Sequence, residues 1–268
     1  GIDLAEFMFL NEANPHGRYR LYDYQWPWWN DDSEQQIDQS GRNLGKSWGV
    51  QCRACAFPFS YPEQDMLLTA PELNHLKPLV DAVESRIFGS RIMTEMLPTK
   101  GARGINRQPQ WQITFLNGAK IVSRLPNKDG KGVKGQHVVK LEIDEGQDYP
   151  LAGWIEIVEC LNKGVEGAQW RIHGVSRGVR DKFYEYSQSR DWVVHGKMAM
   201  NRPSWWSKER DQKEMTYGGS RQAPDYKRNI YGEHGDATNP LFVLARLMAC
   251  VDQDMGSEYN ADIYSEAK

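Results

Sequence analysis

Residues 40–47 read Ser40-Gly41-Arg42-Asn43-Leu44-Gly45-Lys46-Ser47, and they run into a proline-free stretch, residues 48–57, able to form a helix. No other feature limits the fold as sharply. A loop of this kind lays its backbone N–H groups around a phosphate at a helix N-terminus, where the helix dipole is positive. Lys46 then reaches the β- and γ-phosphates, and the Ser47 hydroxyl coordinates Mg²⁺. The usual pattern has glycine where Ser40 stands, so the match is one residue short.

A second stretch answers the first. Val138-Val139-Lys140-Leu141-Glu142-Ile143-Asp144-Glu145 is mostly apolar and ends in two acids, with Asp144 98 residues beyond Lys46. Ligands bind outside the C-terminal ends of central parallel strands. Asp144 placed there holds the Mg²⁺ hydration shell, and Glu145 polarises the attacking water. Lys140 and Glu142 depart from the apolar composition of a fully buried strand. The two motifs, in this order, predict an Mg²⁺-dependent, ATP-hydrolysing P-loop site.

The rest of the chain supplies matching elements. Met66 to Ala70 is an apolar run stopped by Pro71 and predicts a buried strand. Residues 72–88 have helical spacing, and Pro78 is expected to kink that helix or mark its true start. Trp111 to Phe115 and Lys120 to Leu125 alternate like strands around Asn117-Gly118, the signature of a two-residue hairpin turn. Residues 127–136 form a glycine- and lysine-rich loop before the strand 137–143. A helix over 154–161, a strand over 169–173, the turn Gly174-Val175-Ser176-Arg177-Gly178, a helix over 181–186 and a strand over 192–194 follow. Further helical stretches are expected at 2–10, near 207–217 and at 241–251, while residues 30–39 read as a polar strip. Strands separated by helices of these lengths predict an α/β fold, a mainly parallel central sheet flanked by helices.

Composition and charge narrow the classes further. The 268 residues suit one large domain, or one with a small appendage. No apolar run approaches the ~18 residues of a membrane span. Four cysteines do not make a disulfide scaffold, so a reduced setting is expected. Cys52 and Cys55 share one helical face and read as structural thiols, and no histidines show metal-ligand spacing. The chain starts at Gly1 with no charged-then-apolar leader, which reads as a processing boundary. Residues 100–140 carry nine bases and one acid, a net of +8 against −11 for the remainder of a chain at −3. Such a block suits a polyanion or is a solvated face balanced by acids elsewhere. Trp26-Pro27-Trp28-Trp29 either stacks on an adenine or packs as core.

Taken together, these residues resemble the ATPase domain of phage large terminase subunits, the motors that package DNA into capsids. Four pieces carry the resemblance. Arg42 lies inside a P-loop lacking its first glycine. Ile143-Asp144-Glu145-Gly146 matches the end of the Walker B strand. Ile172 to Gly178, followed by Phe183-Tyr184, looks like the coupling motif, with Val175-Ser176-Arg177 in place of the more usual Ser/Thr-Pro-x-Gly. Tyr24-Gln25 resembles the adenine-sensing glutamine upstream of the P-loop.

The resemblance covers roughly residues 20–235 and implies an ASCE-type P-loop NTPase fold with a small lid or linker subdomain. It implies a motor domain over 1–236, including an N-terminal adenine-side segment with Gln25. Residues 237–268 read as a linker or tail, too short for the nuclease domain that full large terminases carry, so that domain is expected to be absent. ATP would lie on residues 40–47, Mg²⁺ on Ser47 and Asp144, and Glu145 would be the catalytic glutamate. A basic finger acting in trans is implied as well. Lys134-Gly135 stands where some members carry Arg-Gly, with Arg124, Lys131 and, in cis, Arg42 as alternatives. The implied partners are double-stranded DNA, the portal protein, the small terminase subunit and further copies in a ring on the procapsid, from subunits that are monomers when isolated. The implied setting is the cytoplasm of an infected bacterial host, with no membrane. The rival readings are another nucleic-acid-dependent P-loop ATPase, such as a helicase-like motor, and a non-hydrolysing scaffold.

Overall fold

The computed structural model describes residues 25–99, 104–108, 110–196 and 212–234. Tyr24, the helices expected at 2–10 and 241–251, and the tail 237–268 lie outside the described residues. Among the described residues no helix is long and apolar enough to cross a membrane.

A short helix, α1 (Trp26–Asn30), precedes strand β1 (Gln35–Gln39), and the octad then leads into helix α2 (Lys46–Ser60). Strand β2 (Asp65–Thr69) is followed by α3 (Leu73–Gly89) and α4 (Arg91–Glu95). Helix α3 runs unbroken through Pro78. Strands β3 (Ile105–Asn106), β4 (Gln112–Thr114) and β5 (Lys120–Arg124) come next, then β6 (Lys140–Ile143). Helix α5 (Leu151–Ile157), strand β7 (Gln169–Gly174), helix α6 (Lys182–Gln188) and strand β8 (Val193–Gly196) complete the core. Beyond them a helical turn, Pro224–Tyr226, continues into a π-helical turn, Lys227–Tyr231.

The eight strands form one sheet in the order β3-β4-β5-β2-β6-β7-β1-β8. The six from β5 to β8 are parallel, and β3-β4-β5 is an antiparallel edge. Strand β7 lies between β1 and β6, so the strands that lead into the octad and into Asp144 are separated by one neighbour. That is the ASCE arrangement of a P-loop fold, as expected.

Two local readings are corrected. The polar strip 30–39 contains a central strand, β1, whose last four residues are buried. The hairpin loop has three residues and not two: Phe115 N–H donates to Ala119 O at 2.9 Å, enclosing Leu116, Asn117 and Gly118. Gly118 takes φ +81°, the left-handed geometry that closes a three-residue hairpin loop.

Strand alternation gives the sheet centre two unlike faces. In register, Ile37, Leu141, Trp170 and Ile172 fall on one side, and Asp38, Glu142, Arg171 and His173 on the other, all of them buried. The apolar side continues into an aromatic cluster in which Trp154, Trp170, Tyr186 and Trp192 stand 4.8–6.4 Å apart between ring centres. The polar side explains Lys140 and Glu142, which break the apolar pattern of β6 and find buried partners on β7 and α2.

Candidate functional site

The octad folds as a tight loop from β1 into α2. Asn43 and Gly45 both take positive φ, +58° and +79°, which turns successive N–H groups inward. Gly45 suits the left-handed φ, and a Cβ there would stand 2.5 Å from Gln25 Nε2 and displace that amide. The buried Gln25 donates to Leu44 O at 3.0 Å and props the loop from beneath.

Lys46 opens α2, buried, with its ammonium donating to Gly41 O at 2.7 Å and Ser40 O at 3.3 Å. Burial pushes this ammonium down to about 8, against the pull of Glu145, Asp144 and Asp38. The next residue meets the second motif. Ser47 Oγ donates to Asp144 Oδ2 at 2.8 Å, and Glu145 N donates to Asp144 Oδ1 at 3.1 Å. Asp144 is buried and its carboxyl is raised, chiefly by desolvation and then by the neighbouring Glu145. The serine hydroxyl and the aspartate offer a hard cation two adjacent oxygen donors, the chemistry Mg²⁺ requires. The residues present therefore fit the metal.

Glu145 carries φ +53°, uncommon for a residue with a side chain, and begins a 3₁₀ turn over Gly146–Asp148. Gln147, in that turn, holds two things at once. Its Nε2 donates to Glu145 Oε2 at 2.5 Å, and its Oε1 accepts from Val175 N–H at 3.0 Å. Asp148 pairs with Arg177. The end of β6 is thus fastened to the turn 174–178 by two side chains. Gly174 has to be glycine here, since a Cβ would stand 2.5 Å from Gln147 Oε1 and 2.8 Å from Phe183.

The segment 225–234 crosses the outside of the loop. Arg42 N–H donates to Asn229 O at 2.7 Å, Arg42 Nε to Asn229 Oδ1 at 2.6 Å, and Gln39 Nε2 to Gly232 O at 2.6 Å. His234 then bridges Ser176 Oγ at 2.5 Å and Ser187 Oγ at 2.8 Å.

The structure therefore brings Gln25, Ser40 to Ser47, Asp144 and Glu145 together. Lys134 stands apart, two-thirds exposed, with Nζ 3.3 Å from Glu156 on α5. Among the described residues no hydrogen bond or ion pair joins it to Lys46, Ser47, Asp144 or Glu145. Arg107, in the basic segment, pairs with Glu84, and Trp28 of the tryptophan cluster is core. Cys52 and Cys55 are buried in α2. Sequence reasoning missed Gln147, Asn229 and His234. Gln147 lies two residues past Glu145, a position worth inspecting beside any catalytic carboxylate; the other two have no local signal.

No family model and no curated protein matches this chain. Solved structures do. The ATPase domain of the Thermus phage P74-26 large terminase, as an arginine-to-alanine variant, matches at a TM-score of 0.62 and 14% identity, over 80% of this chain and 94% of that one. The chain carries the fold of a phage large-terminase ATPase domain. The HK97 bacteriophage large terminase matches at 0.64 and 12% identity, over 92% of this chain and 58% of that one. The large terminase of a thermophilic bacteriophage, solved with ADP, matches at 0.57 and 15% identity, over 80% of this chain and 54% of that one. The chain thus spans somewhat more than half the length of those two large terminases.

Proposed function

We propose that this chain is a motor domain that hydrolyses ATP to drive double-stranded DNA into a phage procapsid. The observation that carries the reading is the Ser47–Asp144 contact of 2.8 Å, which sets the loop, its lysine and Glu145 around one point at the C-terminal edge of the sheet. Residues 40–47 cradle the nucleotide phosphates, and Lys46 meets their charge. Ser47 and Asp144 would hold Mg²⁺, which would supply charge neutralisation for the phosphates. Glu145 orients and polarises the attacking water. The terminase fold supports the packaging role, and the relative solved with ADP supports a nucleotide ligand.

The same reading takes Lys134, exposed and outside its own site, as the finger that reaches a neighbour's nucleotide, with the likewise exposed Lys131 as an alternative. Copies of the chain then work as a ring on the portal protein, with the small terminase subunit as partner, in the cytoplasm of an infected bacterium. Lysine supplies a point charge there and no bidentate fork.

Phosphate release from ATP and Mg²⁺ by the whole chain, with Lys46→Ala as control, tests the hydrolytic reading. Turnover in the parent and none in the variant is the expected result; equal rates overturn it. DNA-stimulated turnover without strand separation on a forked duplex separates a packaging motor from a helicase.

A further inference from the structure

The buried polar side of the sheet converges on one histidine. His173 on β7 places Nδ1 2.5 Å from Asp38 Oδ2 on β1 and Nε2 2.5 Å from Glu142 Oε2 on β6. Arg53 on α2 grips Glu142 with a fork, Nε to Oε1 at 2.8 Å and Nη2 to Oε2 at 3.0 Å. The histidine is 0% exposed and the two acids 2% each, so no solvent screens these charges.

The positions matter more than the pairing. Asp38 stands two residues before Ser40, Glu142 two before Asp144, and His173 two before Val175. Each is therefore about 7 Å upstream, along its own strand, of a residue that opens a site loop. Strands β1, β7 and β6 are neighbours in that order. Each ring nitrogen lies 2.5 Å from a carboxylate oxygen, the Nε2 contact to Glu142 has hydrogen-bond geometry, and Arg53 Nη2 also stands 3.1 Å from Nε2. Arg53, and Arg171 beside Glu142 in register on the same buried face, bring two guanidinium cations to the two carboxylates. Buried ion pairs contribute little net stability compared with apolar residues of similar volume. Apolar side chains would pack these strands equally well without fixing their relative register so tightly.

We propose that His173, with Asp38, Glu142 and Arg53, is a positioning cluster that keeps the octad, the Asp144-Glu145 end and the 174–178 turn in hydrolysis-competent register. This rests on the ATP-hydrolysing reading. The cluster touches no substrate and acts through the three loops.

The test compares the whole parent chain with His173→Gln, with Asp38→Asn/His173→Gln, and with Arg53→Lys, which keeps the charge but loses the fork. Steady-state ATP turnover, binding of a fluorescent ADP analogue and thermal unfolding are measured on each. His173→Gln strips the Asp38 carboxylate charge of its nearest partner and lowers both the unfolding midpoint and kcat. Adding Asp38→Asn removes that charge, so the midpoint recovers while kcat stays depressed by about tenfold or more, with ADP affinity within about threefold of parent. Arg53→Lys lowers kcat severalfold without unfolding the chain, and it carries the test if the histidine variants do not fold. Recovery of kcat together with the midpoint, or a parental kcat in Arg53→Lys, overturns the proposal and leaves the ATPase reading intact. A parent with no turnover overturns both.

Discussion

Ser47 and Asp144, 97 residues apart in the chain, share a hydrogen bond of 2.8 Å where the first turn of α2 meets the end of β6. That contact turns two unremarkable local patterns into one site. Lys46 sits beside it, buried, with its charge held by loop carbonyls and opposed by desolvation. Lys46→Ala should therefore abolish ATP turnover and weaken nucleotide binding by about tenfold or more, because among the described residues no other lysine ammonium hydrogen-bonds to the octad. Calorimetric titration with ADP and a phosphate-release assay check both halves.

Glu145→Gln should bind nucleotide like the parent and lose about 10²–10⁴-fold in turnover. The amide keeps the shape and the neighbour Gln147 but removes the charge that polarises water. Equal losses of binding and turnover would instead assign Glu145 to the metal or to folding.

Lys134→Ala should matter only between subunits. Its ion pair with Glu156 is surface-exposed and contributes little to stability, so monomer turnover and the unfolding midpoint should stay at parental values. Packaging by assembled motors should fall. Parental packaging by the variant would pass the role to Arg124, Lys131 or Arg42.

His234 gives a pH signature. Burial lowers its imidazole to about 4, below its ordinary value near 6.5, while both its ring nitrogens engage serines. The unfolded chain therefore binds a proton between pH 6.5 and 4 that the folded chain does not. Stability is full above pH 6.5 and is lost as pH falls through that window. Discounted for partial exposure, the loss from pH 7 to 5 is about 1 kcal/mol. Denaturant melts of parent and His234→Gln at the two pH values should differ by that amount; parallel losses in both would place the titrating group elsewhere.

The two chemical motifs were legible because each is a run of adjacent residues whose backbone geometry follows from the run itself. Gly45 supplies the left-handed φ the loop needs, and Ile143-Asp144-Glu145 ends a strand in acids wherever that strand lies. Apolar β2 was equally plain, since its burial is written in its own side chains. Strand β1 was not. Gln35-Gln36-Ile37-Asp38-Gln39 reads as a solvated strip, and only pairing with β7 and β8, with His173 facing Asp38, makes it central. The same holds for Gln147 and His234, whose partners are 28, 58 and 47 residues away. The sequence by itself determined the phosphate loop, the acidic strand end and the α/β alternation, because those depend on local conformation and hydrophobic burial. The tertiary structure decided which polar residues go inside, because a buried charge is tolerable only beside its partner, and those partners are brought together by the fold and not by the chain.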